Sequence, residues 1–104
     1  MVNHLSQMKK ALKACSKLEI VGHCRKACVG EIRRVTLANT QGFYSVVDGH
    51  PEHKTSQAND GKGSVLWWSK APFWRFENGV CALYDSDTDH TESHLIMAFR
   101  ILDQ

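Results

Sequence analysis

The chain lacks any long apolar run, because stretches such as Leu95 to Phe99 fall far short of the roughly 20 residues that cross a bilayer. Its start, MVNHLSQMKKALKAC, also lacks the apolar stretch of a signal peptide. Internal repeats and low-complexity tracts are absent too. These absences, with a length of 104 residues and a hydrophobic content of 42%, predict one globular domain over residues 1–104 that acts in the cytoplasm and contacts no membrane.

The common signatures of catalysis are also missing. The Gly61–Gly63 segment is too short for a phosphate-binding loop, which needs a longer spacing between its glycines. The run Asp85-x-Asp87-x-Asp89 begins like a calcium loop, yet His90 and Ile96 stand where such a loop requires Gly and Glu. Since no nucleophile is matched to a general base either, we expect no enzymatic activity.

Disulfides are not expected, although the chain has four cysteines. Without a secretory signal and with an ordinary apolar fraction, reduced thiols are the default. Cys15 lies at helical spacing from Leu12, and Cys81 lies inside an apolar stretch. Both are therefore predicted to be small buried side chains.

The other two cysteines belong to the one pattern that suggests a metal. Cys24 and Cys28, with His50 and His53, spell C-x3-C-x21-H-x2-H, and zinc prefers thiolate and imidazole ligands. The central gap is longer than in a zinc finger, and the two histidines are closer together. Two alternatives stay open: a zinc site, or two half-buried cysteines and two exposed loop histidines. No other cofactor is predicted.

Positive charge is concentrated in the first third of the chain. Residues 1–34 hold eight of the thirteen Lys and Arg and two of the eleven acids, which gives +6, while the remaining five cations and nine acids give −4. This asymmetry predicts a basic face that meets nucleic acid or an acidic protein surface. The candidate contact cations are Lys9, Lys10, Lys13, Arg33 and Arg34.

The spacing of apolar residues predicts one helix followed by seven short strands. Apolar residues at helical spacing, with lysines between them, predict an amphipathic helix over residues 3–16 with Asn3 as its N-cap. Alternation predicts strands over 18–22, 31–38, 42–47, 64–68, 73–77, 80–84 and 94–102. The predicted fold class is α+β, with the helix packed on a strongly bent antiparallel sheet or a small SH3-like β-barrel.

Turn residues predict how these strands are connected. Gly22 is expected to end the first strand, and residues 39–42 and Asn78–Gly79 to form hairpin turns. Residues 48–63 are polar and aperiodic, which predicts a long irregular loop that is either functional or mobile. In the second strand, the alternation places Arg33, Val35 and Leu37 on one face.

The segment SVLWWSKAPFWRF, residues 64–76, has more aromatic side chains than one face of a small sheet needs. Apolar residues alternate onto both faces of its two strands, so one face is expected to be covered by a partner or a second copy of the chain. Trp67 is expected in the core, while Trp68, with Trp74 or Arg75, is expected on the exposed face. Since Trp and Arg often anchor interfaces, Trp68, Trp74 and Arg75 are the candidate contact residues.

Two hairpins of the chain resemble those of small uncharacterised bacteriophage and prophage proteins. The matching hairpins are GEIRRVTLANTQGFYSVV and SVLWWSKAPFWRFENGVCALY, which lie on either side of the glycine-containing loop. The matching positions are Gly30, Arg33, Val35, Thr40, Gly42, Phe43, Tyr44, Trp67, Lys70, Ala71, Trp74, Phe76 and Tyr84. The resemblance implies an origin in a phage or mobile element. It also implies, by analogy with such proteins, inhibition of a host defence such as a CRISPR effector.

Three functions follow from these patterns and from the resemblance. The leading one is a small phage-type accessory protein that binds and inhibits a bacterial host protein or defence complex, in the host cytoplasm. The alternatives are a nucleic-acid-binding barrel that uses the basic first third and exposed aromatics, and a small zinc-binding domain. A homodimer is compatible with the first function.

Overall fold

The computed structural model describes residues 2–68 and 71–102. Lys70, one of the positions of the phage resemblance, lies outside these ranges. The described residues form two short α-helices, three single-turn 3₁₀ helices and seven antiparallel strands in one sheet of order β4-β3-β2-β1-β7-β6-β5. The elements are α1 Leu5–Ala11, β1 Lys17–His23, β2 Ile32–Ala38, β3 Gly42–Val47, α2 Lys54–Gln57, β4 Ser64–Trp67, β5 Trp74–Glu77, β6 Val80–Tyr84 and β7 Leu95–Ile101.

The sheet is strongly curled around its own hydrophobic core. Phe43 on β3 and Phe99 on β7 are three strands apart, which would separate them by about 14 Å in a flat sheet. Their ring centroids are only 5.9 Å apart, because curvature brings the two strands together on the concave face. The predicted bent antiparallel sheet is therefore confirmed. Among the described strands the sheet does not close into a barrel, and β4 and β5 form its two edges.

Helix α1 closes the concave face, as predicted, but it is much shorter than predicted. Met8 and Leu12 are 0% and 1% exposed. The helix ends at Ala11 because the Ser16 hydroxyl donates to the Ala11 carbonyl at 3.0 Å, while the Cys15 amide donates to the Val35 carbonyl at 2.9 Å. The chain thus turns directly into β1.

Two local predictions about this segment are wrong. Cys15 is exposed and has a φ of 75°, so it is a turn residue and not a buried side chain on the helix. The N-cap position belongs to His4 instead of Asn3, and no side chain caps the helix there.

The strand predictions agree with the observed bounds to within one residue at each end, and two β-bulges inside β1 and β2 explain where local predictions differ from the structure. Gly22 lies inside β1, just after a change of register at Ile20, instead of ending the strand. A second change of register lies between Val35 and Leu37 on β2. It turns Leu37 away from the face of Arg33 and Val35, so that Leu37 is 38% exposed.

Residues 48–63 are more ordered than the predicted irregular loop. They contain helix α2, whose Ser56 is buried and accepts a hydrogen bond from the Val47 amide at 3.1 Å. The segment therefore packs against β3 before returning the chain to β4. In the described part of the chain, no helix has both the length and the apolar character needed to cross a membrane.

Candidate docking surface at the edge of the sheet

Trp67 lies on the outer, convex face of the sheet and is 49% exposed. It stands opposite Gly42 of β3, where any Cβ would lie 3.0 Å from Cε3 of the indole ring. Tyr44 meets the indole edge to face, with 6.2 Å between ring centroids and an interplanar angle of 76°. Leu37 pairs with Tyr44 across the ladder and is exposed on the same face. We call Leu37, Tyr44 and Trp67 the outer aromatic patch.

Trp68 points the other way and packs against the core. Its ring centroid is 5.4 Å from that of Phe43, and its indole N–H donates to the Asn39 carbonyl at 2.7 Å. The expectation that Trp67 is in the core and Trp68 on the exposed face is therefore wrong. Alternation separates the two side chains but does not say which one is inside. Leu66 decides this, because it pairs with the buried Phe43 and so places its neighbour Trp67 outside.

A cleft of about 610 Å³ lies between the end of α1 and the β2–β3 turn. It brings together three of the predicted contact residues, namely Lys9, Lys13 and Trp68. The Lys9 ammonium lies 5.7 Å from the Trp68 ring centroid, a cation–π distance. The lining residues are Lys9, Leu12, Lys13, Ala14, Leu37, Ala38, Asn39, Thr40 and Trp68, so no described acid lines it. We call it the lysine cleft.

The outer aromatic patch and the lysine cleft are continuous, because Leu37 belongs to both. Lys62 adds a further cation, with its ammonium 5.9 Å from the Tyr44 ring centroid. Lys10 is exposed on α1 but does not line the cleft. The combined surface is apolar in its middle and positively charged at both sides.

The two predicted arginines do not add to this surface. Arg33 is only 2% exposed, which corrects its assignment as a surface contact cation. Its guanidinium donates twice to Glu31 Oε1, at 2.7 and 3.0 Å, and once to the Ser64 hydroxyl at 2.9 Å. Arg34 is partly exposed and lies 3.5 Å from Asp48, which Lys17 also contacts at 3.1 Å. The basic face is therefore smaller than the count of cations predicts.

Trp74 and Arg75, also predicted contacts, separate onto opposite faces of β5. Trp74 is 3% exposed and stacks on Phe76 at 6.0 Å, so it is a core residue instead of a contact residue. Its indole N–H is buried without an acceptor among the described residues. Arg75 is exposed on the outer face, at the far edge of the sheet from Trp67.

Three of the four predicted zinc ligands, Cys24, His50 and His53, have other close partners. Cys24 Sγ lies 3.6 Å from Nδ1 of the adjacent His23. His50 Nδ1 lies 3.2 Å from Glu52, and His53 accepts the Thr55 amide hydrogen bond that caps α2. Within residues 2–68 and 71–102, no group of three or more His, Cys, Asp or Glu is placed to hold a metal ion. This geometry gives the zinc hypothesis no support.

The contacts of His94 with Asp85 and Asp89, in the loop between β6 and β7, were not predicted from the sequence. We call these three residues the histidine clamp. His94 Nδ1 lies 2.7 Å from Asp85, and Nε2 lies 3.4 Å from Asp89. The carboxylates contact opposite nitrogens of the ring, so the three groups do not converge on one point. The clamp fixes the loop before β7. Its signal in the sequence is the nine-residue separation of Asp85 and His94, which bracket the loop.

Comparison with known proteins does not assign the chain to a family. No family model matches it, and no significant match was found among curated proteins or solved structures. The interpretation of the surface therefore rests on its own chemistry.

Proposed function

We propose that this protein acts by binding another protein, and that the outer aromatic patch and the lysine cleft form its contact surface. The observation that carries the proposal is the position of Trp67, a large aromatic side chain that is 49% exposed at a sheet edge and has Leu37 and Tyr44 beside it. Trp and Tyr are enriched among the anchors of protein interfaces, where surrounding residues exclude water. A partner surface with an apolar pocket bordered by acidic side chains complements Trp67 with Lys9, Lys13 and Lys62.

The resemblance of the two hairpins to phage proteins supports a more specific role. The chain acts as a phage-type accessory protein in the host cytoplasm and inhibits the bacterial protein or defence complex that it covers. The exposed backbone of β4 extends the contact, because an edge strand accepts a further strand from a partner.

Nucleic acid is the second candidate, favoured by the exposed Trp67 ring and the neighbouring Lys62. It is less well supported for two reasons. Trp68 has Lys9 and Phe43 packed against its ring, which limits base stacking there. Arg33 is buried and Arg34 is close to Asp48, so fewer cations are left to neutralise phosphates.

Affinity capture from nuclease-treated bacterial lysate tests the proposal with matched variants. The unmodified chain is expected to retain a specific bacterial protein, and Trp67→Ala is expected to weaken that complex at least about thirtyfold, as for a tryptophan anchor. Val29→Ala is the control, because Val29 is 48% exposed and lies outside the surface. Lys9→Glu with Lys13→Glu should also weaken binding, whereas Lys26→Glu with Lys54→Glu should not.

The result that overturns the proposal is equally specific. A captured protein that binds Trp67→Ala and Val29→Ala with equal affinity would place the contact elsewhere. The nucleic-acid candidate would be favoured instead if the chain binds no purified bacterial protein but binds a single-stranded oligonucleotide at about 50 mM salt in a salt-sensitive way.

A further inference from the structure

Strand β5, at the opposite edge of the sheet from Trp67, has one residue, Phe76, whose backbone groups are unpaired among the described residues. Glu77 and Val80 flank the Asn78–Gly79 turn, whose φ values of 52° and 77° are those of a type I′ hairpin. In such a two-residue hairpin the flanking pair is hydrogen-bonded, and so is the next alternate pair, Arg75 with Ala82. The amides and carbonyls of Trp74 and Phe76 therefore point away from β6. The Trp74 amide closes the 3₁₀ turn Ala71–Phe73, whereas no described residue hydrogen-bonds to the Phe76 backbone.

The side chains along this edge carry opposite charges. Arg75 and Glu77 are both exposed on the outer face, while Phe76, between them, faces the concave side and is half-buried. A polar hollow of about 390 Å³ lies beside the edge, lined by Asn3, Trp74, Arg75, Phe76 and Glu77. Apart from Asn3, the described residues that line this hollow belong to β5 itself, which leaves space beside the edge for a further strand.

We propose that β5 pairs with β5 of a second copy of this chain, antiparallel and around a two-fold axis at Phe76. Only a few registers let the outward backbone groups of the two strands meet. Pairing Phe76 with Trp74 places Arg75 opposite Arg75 of the second copy, which is repulsive. Pairing Phe76 with Phe76 of the second copy places Arg75 opposite Glu77 of that copy. The two-fold symmetry creates the same Arg75–Glu77 pair a second time.

The charge pattern of Arg75-Phe76-Glu77 thus selects one register. In it, the two Phe76 backbones exchange hydrogen bonds, and the charged pairs occupy the adjacent non-hydrogen-bonded positions, where side chains approach most closely. The two Phe76 rings meet on the concave side and extend the core. The outer aromatic patches lie at the far ends of the joined sheets, so each copy keeps its own docking surface free.

The experiment measures mass against concentration by analytical ultracentrifugation, up to about 1 mM because so short an interface is weak. Reducing agent is required, since Cys15 and Cys24 are exposed. The unmodified chain is expected to form a dimer. Arg75→Glu and Glu77→Arg are each expected to raise the dissociation constant about tenfold or more, because two opposite-charge pairs become two like-charge pairs.

The charge-swapped proteins provide the decisive control. An equal mixture of Arg75→Glu and Glu77→Arg restores opposite charges in both pairs and is expected to dimerise, as is the double variant that carries both changes. Circular dichroism melting verifies that each variant is folded. A chain that stays monomeric over the whole range, single variants that dimerise as the unmodified chain does, or a mixture that fails to dimerise would each overturn the proposal.

Discussion

Cys81 shows what burial does to a single reactive group. It is 0% exposed, and desolvation of the thiolate raises the pKa of its thiol to about 12. Its prediction as a small buried side chain is confirmed, whereas the same prediction for Cys15 is wrong. The difference arises because Cys81 lies within strand β6, while Cys15 lies in the turn that follows α1.

We predict that native alkylation separates the two thiols. Iodoacetamide at pH 8 should modify Cys15 and Cys24 within minutes and leave Cys81 unmodified until the chain unfolds, because the thiolate is the reactive form and access is required. Peptide mass spectrometry of a time course reads each site. Equal modification rates for Cys15 and Cys81 in the folded protein would contradict the buried position of Cys81.

His23 links one residue to the pH dependence of stability. Its pKa lies below the usual value of 6.5, mainly because partial burial disfavours the charged ring. Repulsion from Arg33, and to a smaller extent from Arg25, lowers the pKa further, while attraction to Glu31 raises it. The unfolded chain therefore binds this proton more readily than the folded chain. The stabilising contribution is present above pH 6.5 and is lost as the pH falls through the lower folded pKa.

We predict that His23→Gln reduces the loss of unfolding free energy between pH 7.5 and pH 5. Urea titrations of both proteins at the two pH values measure this difference. Using the difference between the proteins removes contributions from the other histidines, which both share. A variant that loses as much stability on acidification as the unmodified chain would show that His23 titrates normally in the fold.

At the scale of elements, Gly63 fixes how β4 reaches the sheet edge. It is buried with a φ of 98°, and its amide donates to the Ala58 carbonyl at 2.9 Å. A Cβ on Gly63 would overlap the Ser45 carbonyl. This close approach pins the end of the 48–63 segment against β3, so that β4 continues in register and places Trp67 on the outer face.

We predict that Gly63→Ala destabilises the protein far more than Gly30→Ala. Both glycines have positive φ values, 98° and 94°, but nothing lies within 4 Å of a Cβ on Gly30. Gly30→Ala should cost about 1 kcal/mol from its backbone conformation, and Gly63→Ala about 3 kcal/mol because the overlap adds to it. Thermal unfolding of the two variants and the unmodified chain measures these losses of stability. Equal losses would mean that loop 48–63 is not held against β3.

At the scale of the whole molecule, the sequence predicted the fold better than the surface. Alternation and turn residues located all seven strands, because each strand has a side facing the core. The bulge before Leu37 and the short α1 were missed, since both depend on pairing partners distant in sequence, such as Val35 with Cys15. The closed form of a barrel was not distinguished from an open bent sheet for the same reason.

The surface was predicted only in part, because the exposed face of a strand is determined by which other elements pack against it. Lys9, Lys13 and Trp68 do meet, but Trp67, the most exposed aromatic residue of the patch, was assigned to the core. Arg33 was counted as a surface charge, although Glu31, just before β2, forms an ion pair with it and only 2% of Arg33 is exposed. The pairing of Leu66 with the buried Phe43, which puts Trp67 opposite Gly42 on the outer face, locates the patch.

The proposed function requires that the outer aromatic patch contacts a bacterial protein. Photo-crosslinking in bacterial cells tests it most directly, with p-benzoylphenylalanine replacing Tyr44 and, as the control, Val29. Tyr44 contacts Trp67 inside the patch, while Val29 is exposed outside it. We predict a crosslink from position 44 to one bacterial protein and none to that protein from position 29. The same crosslinks from both positions, or none from position 44, would contradict it.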